Sequence, residues 1–228
     1  MIPLRDDNPT VLWPVVTVAL IAANAAVFLY EVSLEPQALE ALIYQAGMVP
    51  ASVLQAQIPG TGGSFTLVTS MFLHGGWLHV IGNMLYLWIF GNNVEDSMGH
   101  FRFVLFYFLT GLAAAAAHLG FNPTSTVPTI GASGAVSGVL GAYLLLFPHA
   151  RVQTLVTLGW FIRIIYLPAW FFLVFWIGLQ LLSQALQPMD PTGGGVAYAA
   201  HIGGFVAGLA LIPFFRKYRR PSPRRYYW

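Results

Sequence analysis

Four side chains able to do nucleophilic and acid–base chemistry sit in three apolar stretches of this sequence: His79 and Asn83 in one, Ser133 in the next, His201 in the last. Serine is a poor nucleophile until a base takes its proton, and histidine is the usual base. Ser133 stands in Gly131-Ala132-Ser133-Gly134, opening an apolar run to Leu144, so another backbone or a tetrahedral intermediate has room beside it. An oxyanion formed there would need donors, and the Asn83 amide, the His79 imidazole and the Ser133 backbone N–H can supply them. His79 and Asn83, four residues apart, share one helix face. The acids are Asp6, Asp7, Glu31, Glu35, Glu40, Glu95, Asp96 and Asp190. None falls inside an apolar span as read from the sequence, so no triad acid is available and a Ser-His dyad is expected. The same census excludes a paired-aspartate intramembrane protease, and the His-Glu-x-x-His zinc helix is missing. No cofactor or metal is expected. Ser137, one turn beyond Ser133, is a competing nucleophile that lacks the preceding G-x pattern.

The elements that must position these groups are set by composition. Of 228 residues, 57% are hydrophobic and 8% charged, too few charges to cover a water-facing surface. The chain reads as an all-α membrane protein, a six-transmembrane-helix bundle with spans near 13–30, 76–90, 101–119, 130–147, 167–186 and 196–215. The first span continues past an Ala23-Asn24-Ala25 that could pass for a signal cleavage site, so it reads as a retained helix. Residues 1–12 form a polar lead, 13–215 the helical domain and 216–228 a basic tail. The loop over 31–73 is expected to hold short interfacial helices, and 148–163 a partly interfacial connection. Glu95 and Asp96 are expected to tie a turn over 91–99, with Arg102 as a partner. His100, His118 and His149 fall near span ends and are expected at the interface.

All ten basic residues fall on one side of the six-span arrangement, six of them (Arg216, Lys217, Arg219, Arg220, Arg224 and Arg225) in the tail. The positive-inside rule then puts both termini in the cytoplasm. The tail reads as an anchor at the end of a span, with no nucleic-acid partner. The absence of cysteine excludes thiol nucleophiles and disulfides. In this orientation the second, fourth and sixth spans begin outside, and His201 lies roughly 7–8 Å deep at about 1.5 Å per residue. His79, Asn83, Ser133 and His201 then meet at one level of the outer leaflet. Gly204 and Gly208 have the G-x-x-x-G spacing of close helix contacts.

Phe72-Leu73-His74-Gly75-Gly76-Trp77-Leu78-His79-Val80-Ile81-Gly82-Asn83 resembles the second-helix signature of rhomboid intramembrane serine proteases. Gly131-Ala132-Ser133-Gly134 is similar to their G-x-S-G nucleophile motif, and Ala200-His201-Ile202-Gly203-Gly204-Phe205-Val206-Ala207-Gly208 to their A-H-x-x-G-x-x-x-G helix. Glu95-Asp96-Ser97-Met98-Gly99 looks like their cytoplasmic turn. The resemblance covers about residues 13–215 in order. It implies a rhomboid-like bundle with Ser133 as nucleophile and His201 as general base. It also implies oxyanion roles for His79, Asn83 and the Ser133 N–H, with His74 structural or water-organising. Two features depart from the pattern. Some rhomboids stack an aromatic, four residues after the nucleophile, on the catalytic histidine; here that residue is Ser137, whose hydroxyl is a candidate hydrogen-bond partner for His201. The Trp-Arg pair that part of the family carries in its first loop is absent.

The expected substrates are transmembrane segments of other membrane proteins, single-span or polytopic, entering sideways from the bilayer, with the enzyme in a bacterial-type cell membrane. The aromatic fifth span and the 187–195 loop, with Gly193-Gly194-Gly195, are the expected moving parts. Three rival readings carry their own signatures. A non-catalytic rhomboid-fold binder would typically have lost Ser133 or His201. A transporter would place charges along its spans. A metal site on His74, His79 and His201 would yield to a chelator.

Overall fold

The computed structural model describes residues 1–54, 58–158, 160–186 and 196–217. The 187–195 loop expected to act as a cap and most of the basic tail lie outside them. In chain order the elements are β1 (Ile2–Asp6), α1 (Val15–Ser33), α2 (Pro36–Ala46), α3 (Pro50–Leu54), α4 (Thr66–Thr69), α5 (Trp77–Tyr86), α6 (Asn92–Met98), α7 (His100–Phe121), α8 (Ser133–Leu146), β2 (Arg151–Leu158), β3 (Phe161–Pro168), α9 (Ala169–Leu186) and α10 (Tyr198–Phe215). α1, α7, α9 and α10 are each long and apolar enough to cross a bilayer, which makes the chain an integral membrane protein. α5 and α6 join through a π turn, Leu87–Gly91, into one continuous helical segment. α8 is the central helix: every residue from Gly134 to Tyr143 is buried. Its 14 residues span only about 21 Å.

Glycine decides how α8 meets its neighbours. A Cβ on Gly204 of α10 would strike the Gly134 carbonyl oxygen, and one on Gly208 the Gly138 carbonyl. A Cβ on Gly141 would strike the Phe205 carbonyl in return. On the other flank, Gly138 faces the Thr110 side chain and Gly134 faces Ala114, both on α7. Backbone therefore lies on backbone along α8 and α10, the contact that small residues permit between membrane helices. The helix that begins with Ser133 and the helix that carries His201 are in this way locked in register.

The first loop forms short helices as expected. In α2, Leu39, Leu42, Ile43 and Ala46 are half-buried while the rest of the helix is exposed, an apolar stripe at helical spacing. Three regions differ from the sequence reading. The second span does not end at Phe90, because the helix runs through Glu95 and Asp96 to Met98. Glu95 is fully buried and accepts hydrogen bonds from the Val16 N–H at 2.9 Å, the Thr17 N–H at 2.8 Å and the Thr17 hydroxyl at 2.7 Å. The first amides of a helix have no intrahelical acceptor, and a carboxylate there also meets the positive end of the helix dipole. His100 Nδ1 donates to Glu95 at 2.6 Å, and Asp96 accepts from the Leu12 amide at 2.9 Å. Arg102 donates instead to the Phe215 carbonyl at 3.2 Å, at the end of α10.

Glu31 lies inside α1 and is 2% exposed, so one acid does sit within a spanning helix. The apolar run ends at Tyr30, but the helix continues inside the protein, where the His74 amide needs an acceptor. That N–H reaches both Glu31 carboxylate oxygens at 3.2 Å. Lastly, residues 148–163 are not simply an interfacial connection. β2 pairs antiparallel with β3 on one side and with β1 on the other, so residues from the polar lead form the edge of a three-stranded sheet. Val152 and Thr154 are buried beneath it. Asp6 accepts from the Tyr143 hydroxyl and, at 2.9 Å, from Asn93 Nδ2, fastening the sheet to the ends of α8 and α6.

Candidate active site

The chain turns into α8 at Gly131, whose φ of +125° favours glycine. The Gly131 N–H donates to the Ser70 carbonyl at 2.8 Å, pinning the turn. A Cβ on Gly131 would stand 2.7 Å from His79 Nε2 and 3.6 Å from Ser133 Oγ. Only a bare backbone fits between those two groups. Ser133 is the first residue of α8, so helix geometry leaves its N–H without an intrahelical acceptor and aligned with the positive end of the dipole.

His201 Nε2 and Ser133 Oγ are 2.8 Å apart. On the other side of the ring, His201 Nδ1 is 2.8 Å from Gln180 Oε1 on α9. An amide oxygen only accepts, so Nδ1 carries the proton and Nε2 presents its lone pair to the serine hydroxyl. This is the tautomer that a general base toward Ser133 requires. The His201 ring also lies against Trp176 of α9, with centroids 6.0 Å apart and planes at 32°. The ring contact that some rhomboids draw from the position of Ser137 comes here from a different helix. Ser137 does not bond His201: its hydroxyl donates to the Ser133 carbonyl at 2.6 Å, the i−4 bond open to a serine in a helix.

His79 Nδ1 accepts the Gly75 N–H at 3.3 Å, leaving the proton on Nε2, the nitrogen that faces the Gly131 turn. Asn83 is buried, and its Nδ2 has no acceptor among the described residues. A donor left unmatched inside a protein is costly unless something else uses it. Both side chains line a cavity of about 1160 Å³ that also reaches Ser133, Trp176, Gln180 and His201. His74 is buried just behind: its ring meets the His79 ring edge-on at 5.0 Å, and its Nδ1 donates to the Phe72 carbonyl at 3.3 Å. His118 is not interfacial but buried, with Nε2 2.9 Å from the Thr129 hydroxyl.

The structure thus gathers Ser133, His201, His79 and Asn83 around one cavity, sets His74 behind His79, and turns the Ser137 hydroxyl to its own backbone. No metal-binding group of three or more His, Asp or Glu side chains occurs among the described residues, and both His201 nitrogens are already engaged. Sequence reasoning missed Gln180 and Trp176. The four-residue spacing that puts both on one helix face is in the sequence, but nothing there pairs that face with His201.

A serine–imidazole pair sunk in a bundle of apolar helices has the form of a serine-hydrolase site within a membrane protein. The family model of the Rhomboid domain matches residues 61–218, and the chain belongs to this family. It is 35% identical over 147 residues to Rhomboid protease GluP of Bacillus subtilis, which covers 64% of this chain and 25% of that protein. It is 30% identical over 148 residues to the mitochondrial Rhomboid protein 1 of Saccharomyces cerevisiae, covering 63% of this chain and 40% of that one. With RHOMBOID-like protein 5 of Arabidopsis thaliana it shares 30% identity over 158 residues, 69% of this chain and 46% of the relative. The chain therefore spans less than half the length of each of these relatives. They include a mitochondrial and a bacterial protein, so family membership does not select one membrane.

Proposed function

We propose that this chain is an intramembrane serine endopeptidase that cleaves transmembrane segments of other membrane proteins near the outer leaflet. The observation that carries the reading is the 2.8 Å contact between Ser133 Oγ and His201 Nε2, with the ring in the tautomer that can take the hydroxyl proton. In the acylation step that proton moves to Nε2 as Oγ bonds the scissile carbonyl carbon. The oxyanion that develops is met by the Asn83 amide, by His79 Nε2–H and by the Ser133 N–H. Imidazolium then returns the proton to the leaving nitrogen as the C–N bond breaks. Water, activated by the same nitrogen, attacks the acyl-serine and releases the carboxylate with Oγ–H restored.

Backbone in lipid is held in helical hydrogen bonds, so the scissile stretch must unwind first, which favours Gly- and Ala-containing segments. The large exposed apolar side chains of α9, among them Trp170, Phe171, Val174 and Phe175, support access from the bilayer on that side. The one-sided distribution of basic residues supports cytoplasmic termini.

Labelling by a fluorophosphonate probe tests the proposal, comparing the wild-type chain with Ser133→Ala and His201→Ala in proteoliposomes beside cleavage of a reporter transmembrane segment. Labelling and cleavage are expected in the wild type and in neither variant. A folded wild type that neither labels nor cleaves would move the weight to a non-catalytic binder of transmembrane segments. Labelling that survives Ser133→Ala would mean another serine is the nucleophile.

A further inference from the structure

α9 is held unevenly. At its start, Ala169, Phe172 and Leu173 are buried, with Leu173 at 0% exposure. On the same face, Trp176, Ile177, Gln180, Ser183 and Gln184 are only half-buried. The first half is anchored in the core, and the second half borders the cavity. Between Trp176 and Gln180 sits Gly178, and a Cβ there would meet nothing within 4 Å among the described residues. No packing among them requires glycine at that position, and glycine loosens a helix interior. The two side chains that meet the His201 ring therefore stand on the less buried half of the helix, where they line the cavity.

We infer that Gln180 is the positioning residue for His201 and that docking of α9 arms the dyad. This deepens the protease reading and rests on it. An imidazole with no partner at Nδ1 exchanges its proton between the two nitrogens and turns about its side-chain bonds. Only the Nδ1–H form, held in plane, offers a lone pair to Ser133. The buried acids that might have served this purpose are committed elsewhere: Glu31 to the His74 amide, and Glu95 to the start of α1. When the outer half of α9 leans away, the acceptor at Nδ1 and the indole over the ring leave together. A helix whose displacement admits substrate thus also disables the serine until it returns. A vacant site opened to the bilayer would carry little reactive serine.

The test uses the full chain in liposomes, with two substitutions at Gln180 and one remote from the dyad. Gln180→Leu keeps the shape and removes the acceptor; Gln180→Glu keeps an acceptor oxygen in place. Gln180→Leu is expected to lower the fluorophosphonate labelling rate and the kcat for a reporter segment roughly 10- to 100-fold, with KM unchanged. Gln180→Glu is expected to recover most of that loss. In 15N-histidine spectra, with the His201 signal assigned by its disappearance in His201→Ala, the wild type should show protonation at Nδ1 and Gln180→Leu a mixture of tautomers. Leu173→Ala weakens the α9 anchor without touching the dyad. If α9 only gates substrate access, this variant labels as fast as wild type or faster with the small probe. If α9 arms the dyad, it labels more slowly, and adding it to Gln180→Leu costs little more. Wild-type labelling by Gln180→Leu, with His201 still protonated at Nδ1, would overturn the inference. A wild type that never labels would defeat the protease reading instead, while the spectra would still report whether Gln180 sets the tautomer.

Discussion

Gly204→Ala tests whether backbone contact between α8 and α10 sets the catalytic distance. Gly204 lies three residues after His201, and its backbone rests on the carbonyl of Gly134, the residue after Ser133. The added Cβ would fall well inside contact distance of the Gly134 oxygen and 3.0 Å from the carbonyl carbon. Restoring an ordinary carbon–oxygen separation of about 3.3 Å requires the helices to part by roughly 1.3 Å. The Ser133–His201 contact would then stretch from 2.8 Å to roughly 4 Å, beyond a hydrogen bond. A misplacement of that size costs about 100-fold in rate, and overpacking of this kind costs about 1–3 kcal/mol of stability. The assay is the initial rate on a reporter transmembrane segment in proteoliposomes, normalised to folded protein, beside thermal unfolding. Gly120→Ala is the control, because a Cβ at Gly120 meets nothing within 4 Å among the described residues, and it should leave the rate unchanged. If Gly204→Ala unfolds like the wild type and cleaves within about threefold of it, a figure well short of that loss, the backbone seam does not set the distance.

Two further outcomes are expected. Asn83→Ala removes the proposed oxyanion donor, whose Nδ2 has no acceptor among the described residues, so kcat should fall about 100- to 1000-fold while KM holds; an equal loss in substrate affinity, measured by inhibitor competition, would point to a binding role. Glu95→Ala strips the acceptor from the Val16 and Thr17 amides and the Thr17 hydroxyl, which should destabilise the bundle by at least about 2 kcal/mol in denaturant titration, while the fraction that stays folded reacts with fluorophosphonate at the wild-type rate.

The pairing of Ser133 with His201 was legible because the motifs that carry them are local. Gly131, Ser133 and Gly134 sit within one turn, and His201 sits beside the glycines that pack it. What was hidden depends on pairs distant in the chain. Gln180 meets His201 from 21 residues away, and on sequence alone it is one polar residue in an aromatic span. Glu95 and Asp96 look like a turn because they are charged; their partners, 78 to 85 positions earlier, turn them into acceptors for the start of α1. The strands β2 and β3 were hidden by composition. Val152, Leu155, Val156, Ile162, Ile164 and Ile165 suit a pleated surface as well as a lipid one, and only pairing with β1 at the other end of the chain decides between them.

The shortness of α8 bears on how products would leave. About 21 Å of helix in a hydrocarbon layer of about 30 Å puts Ser133 at the floor of a depression whose walls are the longer helices around it. The proposed hydrolysis at that floor would create a carboxylate and an ammonium where neither existed. A charge deep in the bilayer costs about 2.5–3.5 kcal/mol or more, so under the proposed function neither new end would retreat sideways into lipid as easily as an uncut segment would arrive. Each would first have to rise through the depression to water. Arrival would then be lateral and departure vertical, and the proposed reaction would carry its own one-way valve.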